Sequence, residues 1–194
     1  DVDLYGVDTL NGVQVWMAGA APCVGAECDH GADSGGQTTK GYLAKYDSGG
    51  STLSSSDKLD SNMLNGIDVV TDGGTPVGYA VGHHSYYVST TTYANGRVYK
   101  TADASAASPA WTLQTSGTSK LLASVSFSST TDGFVTGSDG RIIHTRDGGA
   151  KWYAESLGTN LGMMSVSAVG PRKAYVSGTN GSVLRALRPY YFTW

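Results

Sequence analysis

Residues 132–152 read DGFVTGSDGRIIHTRDGGAKW. In order, this is a short strand from Gly133 to Gly137, a turn at Asp139-Gly140, a second strand from Arg141 to Thr145, and a loop through Asp147-Gly148-Gly149 that closes on Trp152. Asp-Gly tolerates positive φ at both central positions of a type I′ hairpin turn, the turn whose twist matches paired strands. The rest of the chain holds altered copies of this unit, and a repeat must be recognised before any other assignment.

Four copies align. Their first strands are LYGVD (4–8), LNGID (64–68), LASVS (122–126) and MSVSAV (164–169), each with a small residue directly before Val or Ile. A small residue there lets neighbouring backbones approach closely, as at a crowded central axis. The second strands, VWMAG (15–19), GYAVG (78–82), GFVTG (133–137) and AYVSG (174–178), are rich in aromatic and β-branched residues and all end in Gly. The third strands are GYLAK (41–45), GRVYK (96–100), GRIIH (140–144) and GSVLR (181–185). Asn95, Asp139 and Asn180 precede three of those glycines and predict three type I′ turns. A fourth strand starts near an aromatic, at Trp111, at Trp152 and at 190–194, while the first copy offers only Ser51-Thr52-Leu53. Four strands per unit, joined by hairpins and repeated, predict an all-β chain of one domain over 1–194, a β-propeller of four-stranded antiparallel blades at about 1–60, 61–118, 119–160 and 161–194. Either the four blades close a compact ring or they form part of a larger propeller.

Composition fits this class. Charged residues make up 15% of the 194, and 27 Gly, 12 Tyr and four Trp suit short strands and many turns. No stretch keeps apolar residues at helical spacing, so almost no helix is expected. Net charge is −3 without a basic cluster, which excludes a nucleic-acid surface built on clustered Lys and Arg. No apolar run approaches the roughly 20 residues of a membrane-spanning helix. The chain begins at Asp1, as a processed form or a piece of something longer would. Cys23 and Cys28 are the two cysteines; a bridge between them implies an oxidising compartment. A metal site with His30 would need a fourth ligand that the sequence does not offer, and free thiols are the remaining reading. Asp29, Asp33 and Ser34 lack a recognised calcium spacing, so no metal and no cofactor is expected.

Thr145, Asp147, Gly149 and Trp152 fit the pattern Ser/Thr-x-Asp-x-Gly-x-x-Trp, the Asp-box of sialidase-type, or BNR, repeats. Its logic is structural: the carboxylate accepts backbone N–H groups within the turn, and the Trp anchors the loop in the core. With DGFVTG…GRIIHT before it, and GYAVG at 78–82, the chain resembles the photosystem II stability/assembly factor family. That resemblance implies a BNR-like propeller of the thylakoid lumen that binds protein and is not an enzyme. Members of that family generally have seven blades. The copies here depart from the pattern. Thr101-Ala102-Asp103 is followed by Trp111 three positions late, so an insertion breaks the second box. The first copy lacks the Trp and carries Asp47 out of register, and Arg185-Ala186-Leu187 has lost the box.

Insertions mark where the copies differ: 20–39 with both cysteines, 83–94 (HHSYYVSTTTYA), and 104–109. Insertions at one corner of successive repeats fall on one face, often the binding face. His83, His84, Tyr86, Tyr87 and Tyr93 form the most distinctive loop, and exposed aromatics on an insertion suit recognition of a protein or a sugar ring. Arg97 and Arg141 occupy equivalent positions after a hairpin Gly and would share a rim. A sialidase would need three arginines converging on a carboxylate; a general glycosidase needs two facing carboxylates, and the chain has only Glu27 and Glu155 beside its aspartates. Asp8 and Asp68 recur in the first strands and would line a central channel. His144 sits in a strand as a packing residue, and Asn180-Gly181-Ser182 is a glycosylation sequon that its turn already explains. The leading expectation is a non-catalytic protein-binding propeller whose partner is a photosystem or other membrane complex, in the lumen or secreted. The competing ones are a secreted sugar-binding or sialidase-type protein, and a structural subunit that docks through its insertions.

Overall fold

The computed structural model describes residues 2–10, 12–22, 39–47, 52–61, 63–88, 91–156, 159–171 and 173–187. Fifteen strands lie among them: β1 (Asp3–Leu10), β2 (Gln14–Pro22), β3 (Thr39–Asp47), β4 (Thr52–Leu59), β5 (Met63–Val70), β6 (Val77–Val88), β7 (Thr91–Thr101), β8 (Thr112–Gln114), β9 (Leu122–Phe127), β10 (Gly133–Gly137), β11 (Arg141–Thr145), β12 (Tyr153–Ser156), β13 (Met163–Gly170), β14 (Lys173–Gly178) and β15 (Val183–Leu187). They form four antiparallel meanders in chain order, β1 to β4, β5 to β8, β9 to β12 and β13 to β15. Each sheet stacks on the next, and the first strands β1, β5, β9 and β13 follow one another along the inside of the stack. This is the blade arrangement of a β-propeller, with no α-helix among the described residues.

The core lies between blades. Trp16, Ala18 and Leu43 of blade 1 meet Leu64, Ile67 and Val69 of blade 2. Tyr79, Val81 and Val98 meet Leu122, Val125 and Phe127 of blade 3, with the Tyr79 and Phe127 rings stacked at 3.6 Å. Phe134 and Ile142 then meet Met163 and Val166 of blade 4. No blade buries both faces alone, so stability is shared through neighbour contacts.

Two sets of small residues make this stacking possible. A Cβ on Gly6 would stand 3.0 Å from Gly66 Cα, and one on Gly66 would stand 3.2 Å from Ser124 Cα. The Gly that ends each second strand meets a carbonyl at the entry to the first strand. A Cβ on Gly19, Gly82, Gly137 or Gly178 would fall 1.9, 2.0, 2.0 or 2.6 Å from the carbonyl oxygen of Asp3, Met63, Leu121 or Gly162. The recurrence of Gly there is steric.

Polar locks repeat in the same register. The Val69 N–H donates to Asp8 Oδ2 at 2.6 Å, the Phe127 N–H to Asp68 Oδ2 at 2.8 Å, and the Ala168 N–H to Ser126 Oγ at 3.1 Å. At the outer part of the blades, buried Lys45 donates to the carbonyls of Ser105 and Ala106, both at 2.9 Å. Its repeat equivalent Lys100 donates to the carbonyl of Gly148 at 2.6 Å. Each lysine satisfies its ammonium with the turn of the following blade, as a buried charge requires.

Three details differ from expectation. Asp139-Gly140 and Asn180-Gly181 do carry positive φ (55° and 64°, 57° and 69°), but Asn95-Gly96 is no turn. There β6 and β7 stay paired from Gly78↔Thr101 to Val88↔Thr91, with His84 opposite Asn95. The insertion is rich in Tyr, Thr and Val, residues that suit a pleated surface, so it lengthens the hairpin instead of looping out. Second, the 101–111 turn is not broken by its insertion. Asp103 Oδ1 accepts the N–H of Ser105 (2.9 Å) and of Ala106 (3.1 Å), and Trp111 still packs edge-on against Trp16 at 5.8 Å. The extra residues are absorbed between cap and anchor. Third, the fourth strand of blade 1 is a full eight residues, Thr52–Leu59, held against β3. Cys23, Cys28 and the expected last strand at 190–194 lie outside the described residues.

The carbonyl contact makes a quantitative expectation. Gly137→Ala should lower unfolding free energy by about 1–3 kcal/mol, the usual cost of overpacking, in urea denaturation, whereas Gly73→Ala, where a Cβ meets open space, should cost only the strain of its positive φ.

Candidate functional site

Antiparallel register gives the blades two distinct ends. The upper end carries the start of each first strand and the end of each second strand, Leu64 with Gly82 and Leu122 with Gly137. The lower end carries the 101–111 and 145–152 turns. A cavity of about 340 Å³ opens at the upper end, lined by Met63, Asn65, Leu121, Ala123, Met163 and Met164 with the backbone of Gly137 to Ser138 and Gly162. Its mouth lies where the first strands of blades 2, 3 and 4 begin. Methionine side chains are flexible and polarisable and suit a surface that adapts to apolar side chains. Asn65 is held in place by donating to the Leu122 carbonyl at 2.7 Å.

Charged groups lie at the same end of the blades. Lys120 Nζ pairs with Asp139 Oδ2 at 2.6 Å, and Arg141 follows in the same turn. In blade 2, Arg97 Nη2 approaches His84 Nδ1 (3.2 Å) and Asp60 Oδ2 (3.5 Å). His84 Nδ1 also lies 3.4 Å from Asp60. That nitrogen accepts from Arg97 or donates to Asp60, according to its protonation, and cannot do both at once. Burial and the neighbouring His84 hold His83 below the usual histidine range.

The extended hairpin rises from this cluster. Its β6 strand passes the start of β5 at the pair Met63↔His83, so the backbone of 84–88 and 91–94 projects beyond the upper end of the blade. Its base is fixed. Ser61 Oγ donates to the His83 carbonyl at 2.7 Å, Ser116 Oγ donates to the Gly96 carbonyl at 2.8 Å, and Tyr99 Oη donates to the Asp60 carbonyl at 2.5 Å. Tyr86 stands opposite Tyr93 in the backbone register, and Tyr87 opposite Thr92. A second hollow lies beside this base, lined by Asn95, Arg97, Leu113 and Ser116.

At the lower end, Thr145–Trp152 forms a closed capping network. The Thr145 hydroxyl donates to Asp147 Oδ1 at 2.8 Å and accepts the Gly149 N–H at 2.8 Å, while the Lys151 N–H donates to Asp147 Oδ1 at 2.9 Å. The Lys151 N–H, followed by the Thr145 hydroxyl, holds Asp147 below the usual carboxylate range. Trp152 is buried against Phe127, ring centroids 6.1 Å apart. The Thr145 hydroxyl and the Asp147 carboxylate are thus spent on the turn itself, while the Gly148 carbonyl takes Lys100 of the preceding blade.

The expected site residues thus divide. Arg97, His84 and the backbone of Tyr86, Tyr87 and Tyr93 gather at the upper end with Arg141. Thr145, Asp147, Gly149 and Trp152 lie at the opposite end, bonded and packed within their own turn. His144 is buried and stacked on Tyr153 at 5.3 Å. Arg146 is in the lower turn, so it does not converge with Arg97 and Arg141 as a sialidase triad would. Asp8 and Asp68 are both engaged by backbone N–H groups. Among the described residues, no three His, Cys, Asp or Glu are grouped to hold a metal, and no helix is long and apolar enough to cross a membrane. The methionines of the mouth were not anticipated. Their signal is positional: Met163 and Met164 occupy the repeat positions of Leu122 and Ala123.

The family model described as "Photosynthesis system II assembly factor YCF48" matches residues 102–186, from the end of β7 through most of β15. Two solved structures share the fold. "YCF48 from Cyanidioschyzon merolae" aligns with TM-score 0.64 and 11% identity over 95% of this chain and 51% of its own. "YCF48 bound to D1 peptide" aligns with TM-score 0.61 and 10% identity over 98% of this chain and 52% of its own. The chain therefore spans about half the length of the solved structures it matches. No curated protein matches the sequence. The chain is a BNR-type β-propeller chain that resembles the photosystem II assembly factor family.

One of the axial carboxylates is poised to titrate. Burial, and then the Asp8 carboxylate, push Asp68 up to about 7 against the pull of the Phe127 N–H. The unfolded chain would ionise it near 3.8. The ionised form is disfavoured in the fold, so the penalty is absent below pH 4, grows as pH rises, and is complete above about pH 7. Asp68→Asn, which keeps an acceptor for Phe127, should remove this penalty. In denaturation at pH 5 and pH 8, wild type should lose about 2–4 kcal/mol relative to the variant across that interval; parallel profiles would refute the assignment.

Proposed function

We propose that this chain is a non-catalytic, protein-binding propeller that serves photosystem II assembly on the lumenal side of the thylakoid. We place its ligand, a D1-type peptide segment, across the mouth at the upper end. The observation that carries this reading is the match of residues 102–186 to the assembly-factor family. The related fold solved with a D1 peptide supports the ligand class. An oxidising lumen also suits a Cys23–Cys28 bridge.

The geometry supports the placement. An extended peptide needs an apolar recess for alternate side chains and a charged rim to set its direction. The methionine-lined cavity supplies the first. Arg97, Lys120 and Arg141, set among Asp60 and Asp139, supply the second. The projecting β6–β7 hairpin adds a wall on one side. Binding here requires no proton transfer and no covalent step.

Fluorescence anisotropy with a labelled D1 peptide tests this. Wild type should bind with an affinity that falls as salt rises. Met164→Asp, at an exposed position of the mouth, and Arg141→Glu should each weaken binding by about tenfold or more. Asp147→Ala, at the far end, should leave affinity unchanged. Absence of binding by wild type, or equal loss in the Asp147 variant, would contradict the proposal.

A further inference from the structure

The β6–β7 hairpin outruns both of its neighbours. β5 follows β6 no further than the pair Met63↔His83, and β8 follows β7 no further than Val98↔Gln114. Beyond those pairs β6 and β7 stay in unbroken register to Val88↔Thr91. Side-chain caps show which way the backbone points. The Ser61 hydroxyl donates to the His83 carbonyl, which therefore faces the β5 side, and the Ser116 hydroxyl donates to the Gly96 carbonyl, which faces the β8 side. His83 and Gly96 stand opposite each other, so this pair points its carbonyls apart. In an antiparallel ladder such pairs alternate with pairs that exchange both hydrogen bonds. Ser85↔Ala94 and Tyr87↔Thr92 therefore also turn their N–H and C=O groups outward. Ser85 and Tyr87 present theirs on the inner edge, in line with β5, and Thr92 and Ala94 on the outer edge, in line with β8. Among the described residues no strand pairs with either edge there. The chain leaves the inner line at Ser61, whose carbonyl accepts the Gly41 N–H of β3. Sheet edges are ordinarily blunted by a charge, a proline or a bulge. Residues 83–94, HHSYYVSTTTYA, contain no Lys, Arg, Asp, Glu or Pro, and their register carries no bulge.

We propose that the inner edge of this hairpin takes an extended peptide as an added strand, antiparallel to β6 and in line with β5. The inference rests on the reading of the mouth as a peptide site and says how the peptide is held there. Ser61 already caps the His83 carbonyl, so the next outward position is Ser85, followed by Tyr87. Each exchanges an N–H and a C=O with one residue of the peptide, as paired residues of an antiparallel ladder do. β5 begins at Met63, and Met63 lines the cavity. A strand laid along the inner edge therefore continues into the apolar recess without a turn. Main-chain bonds then supply affinity that does not depend on the peptide's sequence, and the recess selects among its alternate side chains. The outer edge has no such continuation, because the hollow at its foot is lined by Asn95, Arg97, Gln114 and Ser116. The blade itself needs no rearrangement, since the hairpin is already extended and its root is bonded to Ser61 and Ser116.

A labelled D1 peptide, methylated at one backbone nitrogen at a time, tests this on the wild-type chain by fluorescence anisotropy. Methylation removes a donor and blocks the approach of a strand. Two peptide positions separated by one residue should each lose about tenfold or more in affinity, and the position between them should lose little. Ser85→Pro deletes an outward N–H and leaves the β6–β7 ladder its own bonds; it should weaken the unmodified peptide to a similar degree. Thr92→Pro, on the outer edge, should not. Binding by wild type with no alternation along the methyl series would overturn the added strand and leave the mouth as a peptide site. So would equal loss in the two proline variants, or loss in Thr92→Pro alone. No binding of the unmodified peptide by wild type would overturn both. A dimer of the unliganded chain in sedimentation velocity that Ser85→Pro dissolves would assign the edge to a second copy and overturn the proposal.

Discussion

The structure depends on one repeated contact, the acceptance of a backbone N–H by a side chain of the preceding blade's first strand. Asp8, Asp68 and Ser126 occupy one position in three consecutive repeats, and each takes the N–H of Val69, Phe127 or Ala168. First strands at the axis have an unpaired edge, and its N–H groups need partners. The lock requires the strands to approach closely, which the Gly6, Gly66 and Ser124 positions permit. Carboxylate, small residue and buried aromatic are thus parts of a single constraint. It carries an electrostatic cost: burial at the axis, and then the Asp8 carboxylate beside it, push Asp68 up to about 7.

Once the repeat is accounted for, the departures from it mark the surface proposed to bind. The lower end is uniform in purpose. Thr145, Asp147 and Asp103 cap turns, and Lys45 and Lys100 tie those turns to the blade before. The upper end carries departures of a different kind. Blade 2 extends a hairpin past its neighbours, and the Leu122-Ala123 position becomes Met163-Met164 in blade 4. A rigid base of Ser61, Tyr99 and Ser116 hydrogen bonds makes the extended hairpin a fixed wall at its root.

Much of this was readable from residues. The small residue before Val or Ile, the Gly that ends each second strand and the Asp139-Gly140 and Asn180-Gly181 turns follow from local sterics, which act at the same position in every copy. The Asn95-Gly96 turn misled because a turn dipeptide is a local preference, and eleven pairs of cross-strand partners between β6 and β7 outweigh it. The intact Asp103 cap was hidden because it needs only the carboxylate and two nearby N–H groups, and it is indifferent to how far Trp111 lies in sequence. The methionine mouth was illegible for a different reason. It is made by residues from β5, β9 and β13 that come together only through stacking, and no spacing in the chain announces it.

The most direct test of the account is amide hydrogen exchange with and without a D1 peptide. Protection should appear at the upper end, in 63–65, 121–123 and 162–164 and along the hairpin flanks up to Arg97, with the lower turns at 101–111 and 145–152 unchanged. Protection confined to those lower turns, or to the sheet faces between blades, would contradict the assignment of scaffold and binding surface to opposite ends of the blades.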